Sequence, residues 1–334
     1  KAIGQQLGGE NLAAKADQAA QLAKTDLVTD MGGEFPELQG TMGRYYALND
    51  GLSADVADAI EDHYKPRFAG DELPRNDVGV VVALADKLET LAGMFGIGNL
   101  PTGDKDPFAL RRHALGVVRM LVEKELPFTL YDLVSIAVRA FPAGLILEMI
   151  DGLLVSSRLN FFLEERASGY LRDLSYTAQE ASALFSIGML PSVRLLPSQY
   201  FARLDAIREA EMAFPADFAA LANADKRARN ILIKSSGAPS EVMNADANLM
   251  TEEAEKALLN KTRVIRTEVD KLVNAGLFKD ALMLTVQISK PVTEFFNSVM
   301  VNAEDENVRQ NRFRLLHEVT GLTNRVVDLS KLAT

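Results

Sequence analysis

Three acidic or imidazole side chains occupy positions from which they could meet around a divalent cation. Asp26 and Asp86 each lie among apolar residues, and His63 lies between them in the sequence. Carboxylate and imidazole groups are ligands for hard or borderline divalent metals. If three helices present these groups toward one another, the sequence predicts a metal site. The alternative is that the buried acids only cap or brace helices, because buried acids mark functional sites only some of the time.

This arrangement resembles the core of the HD phosphohydrolases, in which one helix brings a His-Asp pair and a later helix brings a final Asp. By that resemblance Asp26 and Asp86 match the two aspartates, and His63 matches an auxiliary histidine. Thr25 stands in the place of the paired histidine, and a neutral hydroxyl is a poor ligand at neutral pH. The resemblance implies a metal-dependent phosphohydrolase as one candidate function, and Thr25 favours the structural role for the acids.

A second group of residues has the chemistry to bind nucleic acid. Lysine and arginine contacts to phosphate supply most of the sequence-independent affinity for nucleic acid, although a basic helix face is also common on ordinary surfaces. The strongest cluster is Lys226, Arg227, Arg229 and Lys234. Further candidates are Arg309, Arg312, Arg314 and Arg325 near the C-terminus, and Lys65, Arg67, Arg111 and Arg112 beside two Gly- or Pro-containing loops.

Two adjacent aromatic residues, Phe295 and Phe296, could stack on unpaired bases. Their helical spacing with Val292 and Val299 instead predicts that both rings belong to the core. His113 and His317 have no metal-ligand spacing, so we expect them to serve packing or to lie on the surface.

Composition limits the class of protein. The 334 residues are 48% hydrophobic and 25% charged, which is typical of globular domains and not of disordered chains. No cysteine is present, which excludes disulfides and thiolate metal sites. The formal charge of −10 means that nucleic-acid binding would need a local basic surface. No apolar run is long enough to span a membrane, so we expect a cytoplasmic piece of a larger protein.

Apolar residues recur at helical spacing along nearly the whole chain, which predicts an all-α fold. A helix predicted at 11–31 would carry Asp26, and one at 77–95 would carry Asp86. The other predicted helices are 55–64, 107–121, 145–171, 178–187, 198–211, 217–234, 252–276, 292–304 and 306–321.

Three long segments resemble the β subunit of bacterial-type heterotetrameric glycyl-tRNA synthetase. They are residues 26–46, 47–74 and 95–112, and each combines glycine, proline and charged residues in an order that is specific to that family. Shorter matches follow at 223–232, 291–305, 311–312 and 328–330. In the first of these the family's usual residue before Lys-Arg is Asn, and Asp225 departs from it.

The resemblance implies a helical HD-like domain over 1–128, a helical linker over 129–190 and an anticodon-binding domain over 191–334. It also implies that the α subunit makes glycyl-adenylate from ATP with Mg²⁺, and that this chain binds glycine tRNA within an α2β2 tetramer. The chain itself would bind no cofactor and hold no adenylation site. A third candidate function is a purely structural helical module that docks the α subunit.

Overall fold

The computed structural model describes residues 1–142, 144–145, 148–150, 152–188, 193–235 and 244–333. Within these ranges the fold is all-α, as predicted, and the β-structure there is a short antiparallel hairpin, β1 (Met149–Ile150) with β2 (Leu153–Leu154), and a bridge between Thr102 and Lys105. The described chain divides into two compact units, residues 1–170 with 196–198 and residues 171–195 with 199–334. The predicted boundaries near 128 and 190 remain a prediction.

The first unit is built around one long buried helix. Its helices are α1 (Ala2–Leu22), α2 (Asp30–Glu34), α3 (Thr41–Asn49), α4 (Ala54–Asp62), α5 (Asp77–Gly96), α6 (Leu110–Glu123), α7 (Leu130–Arg139) and most of α8 (Val155–Asp173). The Asn76 side chain caps the N-terminus of α5 by accepting a hydrogen bond from the Gly79 amide at 2.8 Å. α5 carries apolar residues on nearly every side, as a buried helix must. These residues are buried because α1, α4, α6 and α7 pack around α5.

The second unit contains α9 (Ala178–Gly188), α10 (Tyr200–Ala213), α11 (Pro215–Lys234), α12 (Glu253–Asn274), α13 (Phe278–Val286), α14 (Ser289–Ser298) and α15 (Glu306–Thr323). α11 begins with Pro215 at its first position, where the missing amide costs nothing. Its face bearing Leu221 and Ala228 is buried, and it packs against α14 and α15. The opposite face of α11, with Lys226 and Arg227, is exposed.

The helix predicted at 11–31 is wrong in its second half. α1 ends at Leu22, Lys24 adopts a left-handed conformation with φ +68°, and residues 25–28 form a 3₁₀ turn. The Thr25 hydroxyl donates to the Leu22 carbonyl at 2.7 Å, and the Thr29 side chain caps α2. Such short hydroxyl side chains compete with the backbone for helical hydrogen bonds. Asp26 therefore lies on a tight turn and not on a helix face.

Other predicted helices also differ from the structure. The helix predicted from 145 begins only at Val155, because the hairpin β1–β2 comes first and Gly152, at φ +78°, occupies its turn. Between 277 and 300 the chain forms α13, where no helix was predicted, and α14, which begins and ends earlier than the helix predicted at 292–304. Among the described residues, none of the helices has the length and apolar character needed to span a membrane.

Candidate functional site

The Asp26 carboxylate is buried and accepts hydrogen bonds from backbone amides at the N-terminus of α3. Its Oδ2 accepts hydrogen bonds from the amides of Gly40 at 2.6 Å and Gly43 at 3.1 Å, and the residue is 2% exposed. These amides belong to the first turn of α3, where donors lack helical partners and the helix dipole favours a negative charge. A Cβ on Gly43 would approach Ile60 to 2.8 Å and the Asp26 carboxyl carbon to 3.3 Å, so glycine permits this approach.

The other two predicted metal ligands are engaged separately. The ammonium of Lys24 forms an ion pair with Asp86. His63 is 1% exposed, its Nδ1 lies 2.7 Å from the Ile60 carbonyl, and burial lowers its pKa. Within the described part of the chain, no three His, Asp or Glu side chains are arranged to hold a metal ion. These contacts favour the structural role for the acids over a phosphohydrolase centre.

The basic candidates on the loop after α4 are paired within the chain. Lys65 lies 3.2 Å from the carboxylate of Asp62 and 3.4 Å from that of Glu72. Arg67 binds Asp71 through its Nε at 2.9 Å, and this pairing lowers the pKa of Asp71 to about 2. Because each cation already faces a carboxylate, a phosphate there would have to compete with an internal partner.

The start of α6, where the candidate cations Arg111 and Arg112 lie, is capped by an acid. α6 begins at Leu110, three residues later than predicted, and the Asp106 carboxylate accepts from the amides of Leu110 at 2.8 Å and Arg111 at 2.9 Å. The Arg111 guanidinium donates to the Gly103 carbonyl at 2.6 Å, and Arg112 is exposed. The negative charge of Asp106 opposes a phosphate at this helix end.

The basic residues of α11 lie on two different surfaces. One surface contains a cavity of about 430 Å³, which we call the α11 cavity. Its polar lining consists of Asn223, Lys226, Arg227, Asn230, Lys234, Ser235 and Asn302. Three of the four predicted basic residues of the helix therefore meet at one site, together with three amide side chains.

Arg227, which lines the α11 cavity, packs against an aromatic ring. Its guanidinium carbon lies 4.4 Å from the centroid of the Phe296 ring, and Phe296 is 8% exposed. Phe296 in turn meets Phe295 edge to face at 5.3 Å, and Phe295 is completely buried. The prediction that both rings belong to the core is confirmed, and a ring from α14 supports a cation on α11.

Arg229 points away from the α11 cavity. Its Nη1 lies 3.1 Å from Asp328, and its Nε lies 3.4 Å from Asp225. Burial raises the pKa of Asp225 to about 6, and the hydroxyl of Thr323 donates to the same carboxylate. Arg229 therefore neutralises two buried acids, which favours a structural role for this residue.

The four C-terminal arginines do not converge. Arg309 pairs with Glu306, and Arg325 pairs with Asp270. Arg314 is half-buried on α15.

Arg312 is the deepest of these arginines. Its Nε donates to Glu255 at 2.7 Å, and its Nη1 donates to the Met300 carbonyl at 2.8 Å. The Arg312 side chain is 7% exposed and that of Glu255 is 1% exposed. A buried ion pair of this kind favours a role inside the unit over a role on an RNA surface.

The amide side chains of the α11 cavity were not predicted as part of a site. Asn223 and Asn230 are seven residues apart and share a helical face with Lys226 and Arg227, so helical spacing contained the signal. Asn302 lies between α14 and α15 and had no local signal, because only the packing of α11 against α14 brings it to the site.

Residues 221–329, which hold most of the second unit and its basic cavity, match the family model described as the DALR anticodon binding domain. This part of the chain is therefore of the anticodon-binding class. Residues 1–186 match the family model described as the glycyl-tRNA synthetase beta subunit. The chain belongs to the family of glycyl-tRNA synthetase β subunits.

Relatives of the chain carry the same description. The glycine–tRNA ligase beta subunits of Thiobacillus denitrificans and Paracidovorax citrulli are 52% and 54% identical to this chain over 333 residues. That of Delftia acidovorans is 53% identical over 334 residues. Each comparison covers 100% of this chain and 45% of the relative. The chain thus spans a little under half the length of these relatives.

Proposed function

We propose that this chain is the tRNA-binding portion of a glycine–tRNA ligase β subunit and supports ATP-dependent glycylation of glycine tRNA. The observation that carries the proposal is the α11 cavity, which lies inside the region that matches an anticodon-binding domain. Its Lys226, Arg227 and Lys234 concentrate positive charge on one helix face of a chain whose formal charge is −10.

This charge distribution suits selective RNA binding. A local basic face attracts phosphate, while the acidic remainder of the chain repels polyanions that do not bind to that face. Lys226 makes a long contact of 3.4 Å to the Ala333 carbonyl, an uncharged group, whereas Lys65 and Arg67 each face a carboxylate. Lys226 is therefore more available to a phosphate than either of those residues. We infer that the anticodon arm is the part of the tRNA that this face binds.

The proposal includes the partners of the whole enzyme. The α subunit would hold the site that uses ATP and Mg²⁺ to activate glycine, and this chain would bind no cofactor. Assembly would be an α2β2 tetramer in the cytoplasm. What supports these parts is family membership and the beta-subunit description of the relatives.

The test is binding of a labelled glycine tRNA transcript to the 334-residue chain, measured by fluorescence anisotropy over a range of salt concentrations. A tRNA with an exchanged anticodon loop should bind more weakly. Lys226→Ala and Lys234→Ala should each lower the affinity, and the log–log salt slope should fall by about 0.7–0.9 for each phosphate that the variant no longer neutralises. Lys256→Ala, which removes an exposed lysine paired with Glu253 on α12, is the matched control.

Three results would count against the proposal. The chain could fail to bind tRNA yet bind the α subunit, and the docking module would then be the better function. Both tRNAs could bind equally, which would contradict recognition of the anticodon loop. The control could weaken binding as much as Lys226→Ala, which would mean that the α11 cavity is not the binding face.

A further inference from the structure

The α11 cavity combines three kinds of group that a single-stranded nucleotide needs. Lys226 and Lys234 bring positive charge, Arg227 brings a flat guanidinium, and Asn223, Asn230 and Asn302 bring amides. Lysine alone would explain affinity for phosphate, but it would not explain the amides. A carboxamide offers both a donor and an acceptor, which is the pattern that base edges require.

The guanidinium of Arg227 is the best-placed of these groups. One of its faces rests on the Phe296 ring at 4.4 Å, which limits its rotation and leaves the side chain among the residues that line the cavity. Unstacked RNA bases commonly stack on arginine planes as well as on aromatic rings. A guanidinium that is already packed against a ring on one face loses little further conformational freedom when a base stacks on its other face.

We propose that the α11 cavity binds one unstacked RNA nucleotide, with its base stacked on Arg227 and its base edge read by the asparagine amides. Lys226 and Lys234 then bind the phosphates on either side. The volume of about 430 Å³ lies within the ~300–1,000 Å³ range of small-ligand sites, which suits one nucleotide and not a duplex. This inference rests on the proposed function and assigns a particular pocket to it.

The test separates stacking from charge. Arg227→Lys keeps the positive charge and removes the planar group, so it should weaken binding of a glycine-anticodon stem-loop about tenfold. The log–log salt slope should stay unchanged, because the variant carries the same charge. Arg208→Lys is the matched control, since Arg208 also covers an aromatic ring, that of Tyr176 at 4.2 Å, but lies outside the cavity.

A second measurement identifies the nucleotide. Stem-loops are made with one abasic position at a time through the loop, and each is titrated against wild type and Arg227→Lys. At one loop position, the loss of affinity from the abasic site and the loss from Arg227→Lys should not add. The reason is that the base that stacks on Arg227 is already missing there. Asn230→Ala should change the preference among bases at that same position and leave the salt slope unchanged.

Either of two outcomes overturns the inference. Arg227→Lys could bind the intact stem-loop as well as wild type does, or its effect could add fully to the abasic effect at every loop position. Wild-type binding to the glycine stem-loop with either of these outcomes would leave the proposed function standing. If wild type binds neither the stem-loop nor glycine tRNA, the inference and the proposed function are both wrong.

Discussion

The carboxylate of Asp26 accepts a hydrogen bond of 2.6 Å from the backbone amide of Gly40, at the entry to α3. The same oxygen accepts from Gly43 at 3.1 Å. An acid that the sequence offered as a metal ligand thus fixes the junction between two helical segments. Its charge compensates amide donors that a helix start always leaves without helical partners.

Replacing Asp26 should therefore destabilise the first unit. Asp26→Ala leaves two buried amides without their acceptor, and we expect a loss of about 1–3 kcal/mol in the free energy of unfolding. Urea denaturation followed by circular dichroism measures it. Asp104→Ala, at an exposed loop carboxyl, should change the free energy of unfolding by less than about 0.5 kcal/mol. A loss no larger than that of the control would mean that the carboxylate is not needed to hold α3.

The buried carboxyl of Asp225 should make stability depend on pH. Burial raises its pKa to about 6 in the folded chain, against about 3.9 in an unfolded one. The folded state therefore binds the proton more tightly, so stability falls as pH rises from about 4 to about 6 and stays lower above that. The full effect of such a shift is about 2–3 kcal/mol.

Asp225→Asn removes this ionisation and keeps an oxygen that can accept from Thr323. The variant should match wild type near pH 4 and exceed it in melting temperature at pH 7–8. Asp173→Asn, at an exposed carboxyl at the end of α8, should show the wild-type pH profile. A variant less stable than wild type at neutral pH would contradict the argument, because it would show that Arg229 depends on the charge of Asp225.

The buried pair of Arg312 and Glu255 should matter to folding and not to RNA. Arg312→Met leaves the Glu255 carboxylate buried without its cation, which we expect to cost about 3–5 kcal/mol. Arg309→Met breaks a partly exposed pair with Glu306 and a hydrogen bond of 2.7 Å to the Ala303 carbonyl, and should cost less, about 1–2 kcal/mol. Thermal melts compare the stabilities of the two variants with that of wild type. The salt slope of tRNA binding for Arg312→Met, measured below its melting temperature, should equal that of wild type, and a reduced slope would place Arg312 on the RNA surface.

The all-α fold and most helix positions followed from the sequence. The helix predicted at 77–95 is α5, and that predicted at 306–321 is α15, because long periodic apolar patterns and a capping side chain are local signals. The turn at 25–28 did not follow, because a few hydroxyl hydrogen bonds override helical periodicity there. The family resemblance was also readable from the sequence, since ordered segments of many residues carry it.

The sequence by itself determined which residues bear charge and which helical face they share, since helical spacing relates neighbours along one helix. It did not determine which cations are already neutralised. Arg229 and Lys226 are three residues apart on α11, yet Arg229 meets Asp328 while Lys226 lines an open cavity. That difference depends on Asp328 and Asn302, which lie far along the chain from both cations. Only the packing of the C-terminal helices around α11 decides it, because buried acids and aromatic rings act on a cation through distance in space.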